Sequence, residues 1–304
     1  PLYVLAGAAM GESWGQAATA RRTRDWIGRG VLVLVLLGMV YGIALQGTDA
    51  RFSKSRGWRE LAAKLTTLTA DVDAATVRLV QNYPDPTLWY YYRGAVPHLV
   101  LPPAAHDQAR SAAEVMRMAG EGVARVLLIE QPAAAWDDSG IAQKTLGTTY
   151  EVATTVTVAN WPVSLWLRAP AQLTPLDVVY EDGLQLTGAA IATDEATQGG
   201  VIVVHLGWRY AGTTSTLGAV SVQLLNGAGV LVAQSDRPLA MASDSTVAVS
   251  NYAILLPAML PAGEYQLSVV VYDPGREGAP RRLTRDGADH VTVGHVTVVG
   301  VAVE

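Results

Sequence analysis

The residues of this sequence best equipped for chemistry fall in two short stretches. One, YPDPTLWYYYRG at 83–94, sets a run of aromatic rings beside an aspartate, two prolines and an arginine; the other, EQPAAAWDDSG at 130–140, places a tryptophan directly before two aspartates. Aromatic faces stack on the apolar faces of sugar rings, and carboxylates accept hydrogen bonds from sugar hydroxyls. A carbohydrate rim built this way comprises Asn82, Asp85, Tyr90, Tyr91, Trp136, Asp137 and Asp138. The competing reading makes Asp85 and the prolines the cap of a helix starting at Pro86. The rings from Trp89 to Tyr92 then pack on a sheet or on lipid headgroups. A third candidate, GWRY, holds Trp208 and Tyr210 two residues apart on one strand, so that both share a face. They form either a stacking pair for sugar or part of a core, where large aromatics usually reside.

Other chemistries find little to work with. The 304 residues contain no cysteine, which excludes disulfides, thiolate metal sites and cysteine nucleophiles. His98 and His106 are separated by prolines on what reads as a loop, with no third ligand, so no metal is expected. Residues 48–304 contain no G-x-G-x-x-G, P-loop or G-x-S-x-G to anchor a nucleotide or a hydrolase triad. A net charge of −5, without a basic stretch interleaved with aromatics, gives nucleic acid no electrostatic footprint. No catalytic residue is assigned in this chain.

The elements that must position the candidates follow from periodicity. RGWRELAAKLTTLT spaces Trp58, Leu61, Leu65 and Leu68 by three and four, one apolar helix face. ATVRLVQNYP reads as a short strand stopped by Pro84 and Pro86, and DQARSAAEVMRMAGEG as an amphipathic helix ended by glycine. ARVLLIEQP is the continuous apolar run of a buried parallel strand, and YEVATTVTV and VSLWLRA complete a set of strands. The order predicts a mainly parallel α/β layer domain over 48–170. Ligands of such sheets sit beyond the carboxyl ends of the strands, where both candidate stretches fall. After the Ala/Pro-rich RAPAQLTP, helical periodicity disappears. Strand-like runs punctuated by EDG, NGAG, PAG and DPG predict an antiparallel β-sandwich over 171–304.

Ahead of both lies VLVLVLLGMVYGIAL (31–45), uncharged and almost wholly apolar. Counted from Trp26 to Gly47 it approaches the roughly 20 residues of a spanning helix, placed at 30–47. A signal peptide competes, but QGTDARF offers no A-x-A cleavage pattern. Arg21, Arg22, Arg24 and Arg29 crowd the N-terminal flank, so the positive-inside rule puts 15–29 in the cytoplasm and everything after about 48 on the extracytoplasmic side of the cell membrane. PLYVLAGAAMG, within 1–14, reads as the end of a preceding membrane helix or as an alanine-rich tail, and the start at Pro1 reads as a fragment or processed product.

The phrases GWRELAAKL, VQNYPDPTLWYYYRGAVPHLVLPP and RVLLIEQPAAAWDD, following an apolar helix, resemble the extracytoplasmic tail of bacterial polytopic glycosyltransferases related to protein O-mannosyltransferases and lipid A aminoarabinose transferases. EDGLQLTGAAI, VQLLNGAGVLVAQSDRPLA and PAGEYQLSVVVYDPGREGAPRRLTRDG resemble the sandwich that ends many such chains. The resemblance covers most of 57–300. It implies a polyprenyl-phosphate sugar donor and a catalytic acid in an early loop that is absent from this sequence, so that the portion in hand carries accessory domains and binds no cofactor of its own. The sequence departs from the pattern at Val4, where a proline is common, and at Val247 and Val249, near which relatives often carry a tryptophan. The alternative is a membrane-anchored module that binds glycan or cell-wall polymer and catalyses nothing.

Overall fold

The computed structural model describes residues 22–48, 57–101, 107–120, 122–130, 136–137, 139–210, 218–239 and 247–300. Its contacts divide into two units, Pro1–Gly57 and Trp58–Glu304. In the first unit, α1 (Arg22–Thr48) is a single helix. Residues 22–29, expected in a loop, are therefore helical; the segment has no proline, and the charged and apolar residues flanking Gly28 and Gly30 are adequate helix formers. Side chains of α1 are described for 29–45, and Val31, Leu34, Leu37, Val40 and Ile43 among them stand exposed. Among the described residues no helix is long and apolar enough to cross a membrane. The stretch 29–45 alone falls short of the roughly 20 residues a span requires. The expected preceding helix, 1–14, and residues 15–21 of the expected loop lie outside the described residues.

The second unit mixes helices with several sheets. In its first half, β1 (Val77–Gln81), β2 (His98–Val100), β3 (Arg125–Ile129), β4 (Glu151–Val158) and β5 (Trp161–Leu167) form one sheet in the order β2-β1-β3-β5-β4. β1 runs parallel to β2 and β3, whereas β5 is antiparallel to β3 and β4. The expected mainly parallel layer is thus parallel over three strands only. The cause is the short β4–β5 connection at Ala159 (φ 54°) and Asn160, since so tight a turn can join only antiparallel neighbours.

Helix α2 (Trp58–Leu68) buries Trp58, Leu61, Leu65 and Leu68, the face its spacing demands. α3 is the short helix Thr87–Tyr91. α4 (Gln108–Met118), capped by Asp107, and α5 (Ile141–Leu146) share a core with Val80, Val126, Leu128 and Trp166. α2 shares another with Val77, Leu79, Leu127 and Ile129. β3 feeds both cores by alternation, which is why its sequence is apolar without a break.

The second half is a sandwich. β6 (Thr174–Val179), β7 (Leu184–Ile191), β9 (Val201–Tyr210) and β12 (Ala248–Leu255) lie in the order β12-β9-β7-β6. β8 (Glu195–Thr197), β10 (Ala219–Leu225), β11 (Leu231–Pro238), β13 (Gly263–Tyr272) and β14 (Val291–Val299) lie in the order β11-β10-β13-β14-β8. Pairing is antiparallel except for β14 with β8. The β10–β11 hairpin turns where NGAG predicts it: Asn226 Oδ1 accepts from the amides of Ala228 and Val230, and Gly229 supplies φ 75°.

The halves on either side of the expected boundary at 170/171 share a buried cluster. Val201 and Val203 of β9 and Ala253 of β12 belong to the same buried cluster as Trp58, Leu61 and Leu65 of α2. Lys64 Nζ donates to Gly199 O at 2.6 Å across the same seam. The sheet holding β9 is therefore covered on both faces, by the partner sheet on one and by the α/β half on the other. β9 accordingly stays buried from Val201 through Trp208 rather than alternating.

Candidate recognition surface

The carboxyl ends of β1 and β3 do converge, but the candidate carboxylates there are engaged. Asn82 N donates to Ile129 O at 3.3 Å, closing the end of β1 onto β3. Asp85 Oδ1 accepts from Thr87 N at 2.9 Å and from Thr87 Oγ1 at 2.5 Å, at the start of α3. The cap residue proper is Pro86, so Asp85 holds the helix from one position further out. Asp137 Oδ1 accepts from Ile141 N at 2.6 Å, tying down the first turn of α5 behind Gly140, whose φ of 64° makes the bend. Both carboxylates thus satisfy amides that a helix start leaves without intrahelical partners. Trp136 Nε1 donates to Leu101 O at 2.6 Å, and its ring meets Tyr83 edge-on at 6.4 Å. Asp138 and His106 lie outside the described residues.

Two residues at this rim carry more of the local order than the candidates do. Gln81, fully buried, donates through Nε2 to the carbonyls of Tyr83 and Asp85, while its Oε1 has no hydrogen-bond partner. Glu130 accepts from Ser164 Oγ at 2.5 Å and from Gln143 Nε2 at 2.7 Å. The signal for Gln81 is a polar residue closing RLVQ, a strand otherwise buried; that for Glu130 is a carboxylate immediately after the apolar RVLLI.

The sandwich pair is internal. Trp208 is 0% exposed, its Nε1 donates to Ser250 Oγ at 3.0 Å, and Tyr180 lies beside it with ring centroids 6.4 Å apart. Trp208 is therefore closed to a sugar ring, and Tyr210 packs, partly buried, against the same core. The physical reason is the double cover over β9.

What remains outward is one side of α3. Tyr90 is 69% exposed and Trp89 53%, whereas Leu88 on the same short helix and Tyr92 just after it are buried. Tyr91 is half-buried against the α2 core and meets Tyr90 edge-to-face at 5.0 Å. Arg93 stands over the Tyr90 ring at 5.9 Å and Arg59 over Tyr91 at 5.5 Å, within the range of cation–π attraction. Trp89 also packs edge-on against His98 at 5.4 Å. His98 is on strand β2 rather than a loop, and both its ring nitrogens are buried without hydrogen-bond partners. Burial lowers its pKa to about 4, so the ring is neutral at physiological pH. Among the described residues no group of three side chains is placed to hold a metal. The resulting surface is two exposed rings and a third half-buried, flanked by two guanidinium groups.

No protein-family model matches this chain, and no curated protein does. Among solved structures, the chain is similar in part to the CARDB domain of the PF1109 protein from Pyrococcus furiosus, in complex with di-metal ions. The identity is 16% and the TM-score 0.23, over 42% of this chain and 95% of that one. A likeness at this score carries no functional argument.

Proposed function

We propose that this chain is the last membrane helix and extracytoplasmic portion of a polytopic glycosyltransferase that uses a polyprenyl-phosphate sugar donor, and that Trp58–Glu304 is its non-catalytic accessory unit. In this reading the 30–47 segment of α1 sits in the bilayer, with the arginines of its N-terminal flank in the cytoplasm. The patch of Trp89, Tyr90 and Tyr91 with Arg59 and Arg93 meets a sugar, its rings against the apolar sugar face and its guanidinium groups near phosphate or hydroxyls. The observation that carries the reading is the run of exposed apolar side chains on α1 from Val31 to Ile43, which water solvates poorly and lipid well. The resemblance of 57–300 supplies the parent activity.

The full chain, expressed in a bacterial membrane with a reporter active only outside the cytoplasm fused after Glu304, should give signal. Signal from a cytoplasm-specific reporter alone would overturn the topology. In detergent, the full chain should bind a fluorescent short-chain polyprenyl-phosphate hexose, and the Trp89→Ala, Tyr90→Ala double variant should lose most of that binding. Equal binding by parent and variant would remove the patch from the proposal.

A further inference from the structure

The seam between the α/β half and the sandwich contains a built polar chain beside a cavity. On the outer face of the β12-β9-β7-β6 sheet, Asn251, His205 and Ala190 stand side by side in register on β12, β9 and β7. His205 Nδ1 lies 2.6 Å from Asn251 Oδ1, and Asn251 Nδ2 donates to Glu151 Oε2 at 2.8 Å. Arg237 completes the chain, pairing with Glu151 Oε1 at 2.6 Å and donating to Asn251 O at 2.5 Å. These partners fix every orientation. Because the Asn251 amide nitrogen faces a carboxylate, its oxygen must face His205. Nδ1 therefore carries the proton, and Nε2 is left as an acceptor.

His205 is only 7% exposed, and it lines a cavity of about 350 Å³. That is within the size range of small-molecule sites. The walls are small and apolar, among them Ala124, Pro170, Ala190 and Ile191. Arg168 also lines the cavity; its Nη2 donates to Ala119 O at 2.8 Å, Gly120 O at 3.1 Å and the Tyr150 hydroxyl at 2.9 Å, while its Nε is buried without a hydrogen-bond partner. Its guanidinium further stacks 4.8 Å from the Tyr150 centroid. The side-chain acceptor of the lining is Nε2 of His205. The room in front of it exists because its cross-strand neighbour on β7 is alanine.

We propose that this cavity is a binding site for a small apolar molecule bearing a hydroxyl group, whose O–H donates to Nε2 of His205. An apolar body matches the walls, and a hydroxyl donor matches the Nε2 acceptor. Burial and the nearby Arg125 charge lower the pKa of His205, which keeps Nε2 in its accepting form. The site is independent of the Trp89–Tyr90 patch and does not rest on the proposed function.

The test uses the full chain in lipid nanodiscs with ¹⁵N-labelled histidine and three probes of similar size: cyclohexanol, methylcyclohexane and cyclohexanecarboxylate. Cyclohexanol should shift the His205 Nε2 resonance saturably. Methylcyclohexane, lacking the hydroxyl, should bind about twofold to tenfold more weakly, the range of one hydrogen bond, and the carboxylate more weakly still. Ala190→Phe, which keeps His205 and fills the space before it, should abolish the saturable shift. His205→Leu should reduce cyclohexanol affinity to that of methylcyclohexane, read by competition. The proposal fails if cyclohexanol gives no saturable shift, if Ala190→Phe leaves the shift intact, or if the carboxylate binds tightest, which would make Arg168 the reader.

Discussion

Two aromatic stretches of this chain look alike as sequences and end in opposite environments. LWYY on α3 and GWRY on β9 each offer a tryptophan with a tyrosine within two residues, yet Trp89 and Tyr90 stand in solvent while Trp208 is sealed in the sandwich core. Residue type does not separate them; the number of layers over each element does. β9 lies between a partner sheet and the α/β half, so both of its faces are interior. α3 is a short helix packed beside α2 at the edge of one core, and a helix so placed can bury only one side. An aromatic residue becomes available for recognition where cover runs out.

That contrast can be broken or sharpened by measurement. Trp208→Ala should destabilise the protein by about 3–5 kcal/mol in denaturant unfolding, the cost of emptying a large core site. A loss below about 1 kcal/mol would mean that the double cover is not tight. A somewhat smaller effect belongs to His98, wedged behind Trp89. Its folded pKa of about 4 lies below the ordinary value of 6.5. Its contribution is therefore complete above pH 6.5 and is lost as pH falls towards 4, about 3 kcal/mol in all. His98→Leu should remove that slope, measured as the difference between the two proteins over pH 4–7. Asp71, whose pKa burial raises, acts in the opposite sense but is common to both and cancels. An unchanged slope would put His98 in water. Asp85→Ala should cost about 0.5–2 kcal/mol while Asp85→Asn or Asp85→Ser retains most of the stability, the signature of a cap. Equal losses for all three would argue for another role. Smallest of all, Tyr90→Ala should shift stability by no more than about 0.5 kcal/mol, as for an exposed site; a cost of several kcal/mol would show the ring to be packed.

Much of this contrast is readable in the residues. The spacing of Trp58, Leu61, Leu65 and Leu68 gives the α2 face, RVLLI gives a strand buried on both sides, and NGAG gives the β10–β11 turn. Asp85 also behaves as its flanking prolines suggest. The shared core was not legible. VIVVHLGW signals a doubly buried strand, but nothing local says that the second cover comes from α2, more than a hundred residues earlier in the chain. For the same reason the sandwich could pass for a separate domain, and Trp208 for a surface ring. The His205–Asn251–Glu151–Arg237 chain was equally hidden, because strand register and half-to-half packing bring its members together, and neither is written in spacing.

The most direct test of the account uses the absence of cysteine from the 304 residues, which makes any introduced thiol a unique label site. Tyr90→Cys in the full chain, expressed in intact cells and treated with a maleimide that cannot cross membranes, should be labelled without lysis. Ser268→Cys, at a position 0% exposed, is the control that should stay unlabelled until the protein is denatured. Labelling of Tyr90→Cys in intact cells places the exposed patch outside the cytoplasm, as proposed. Labelling only after lysis would contradict it.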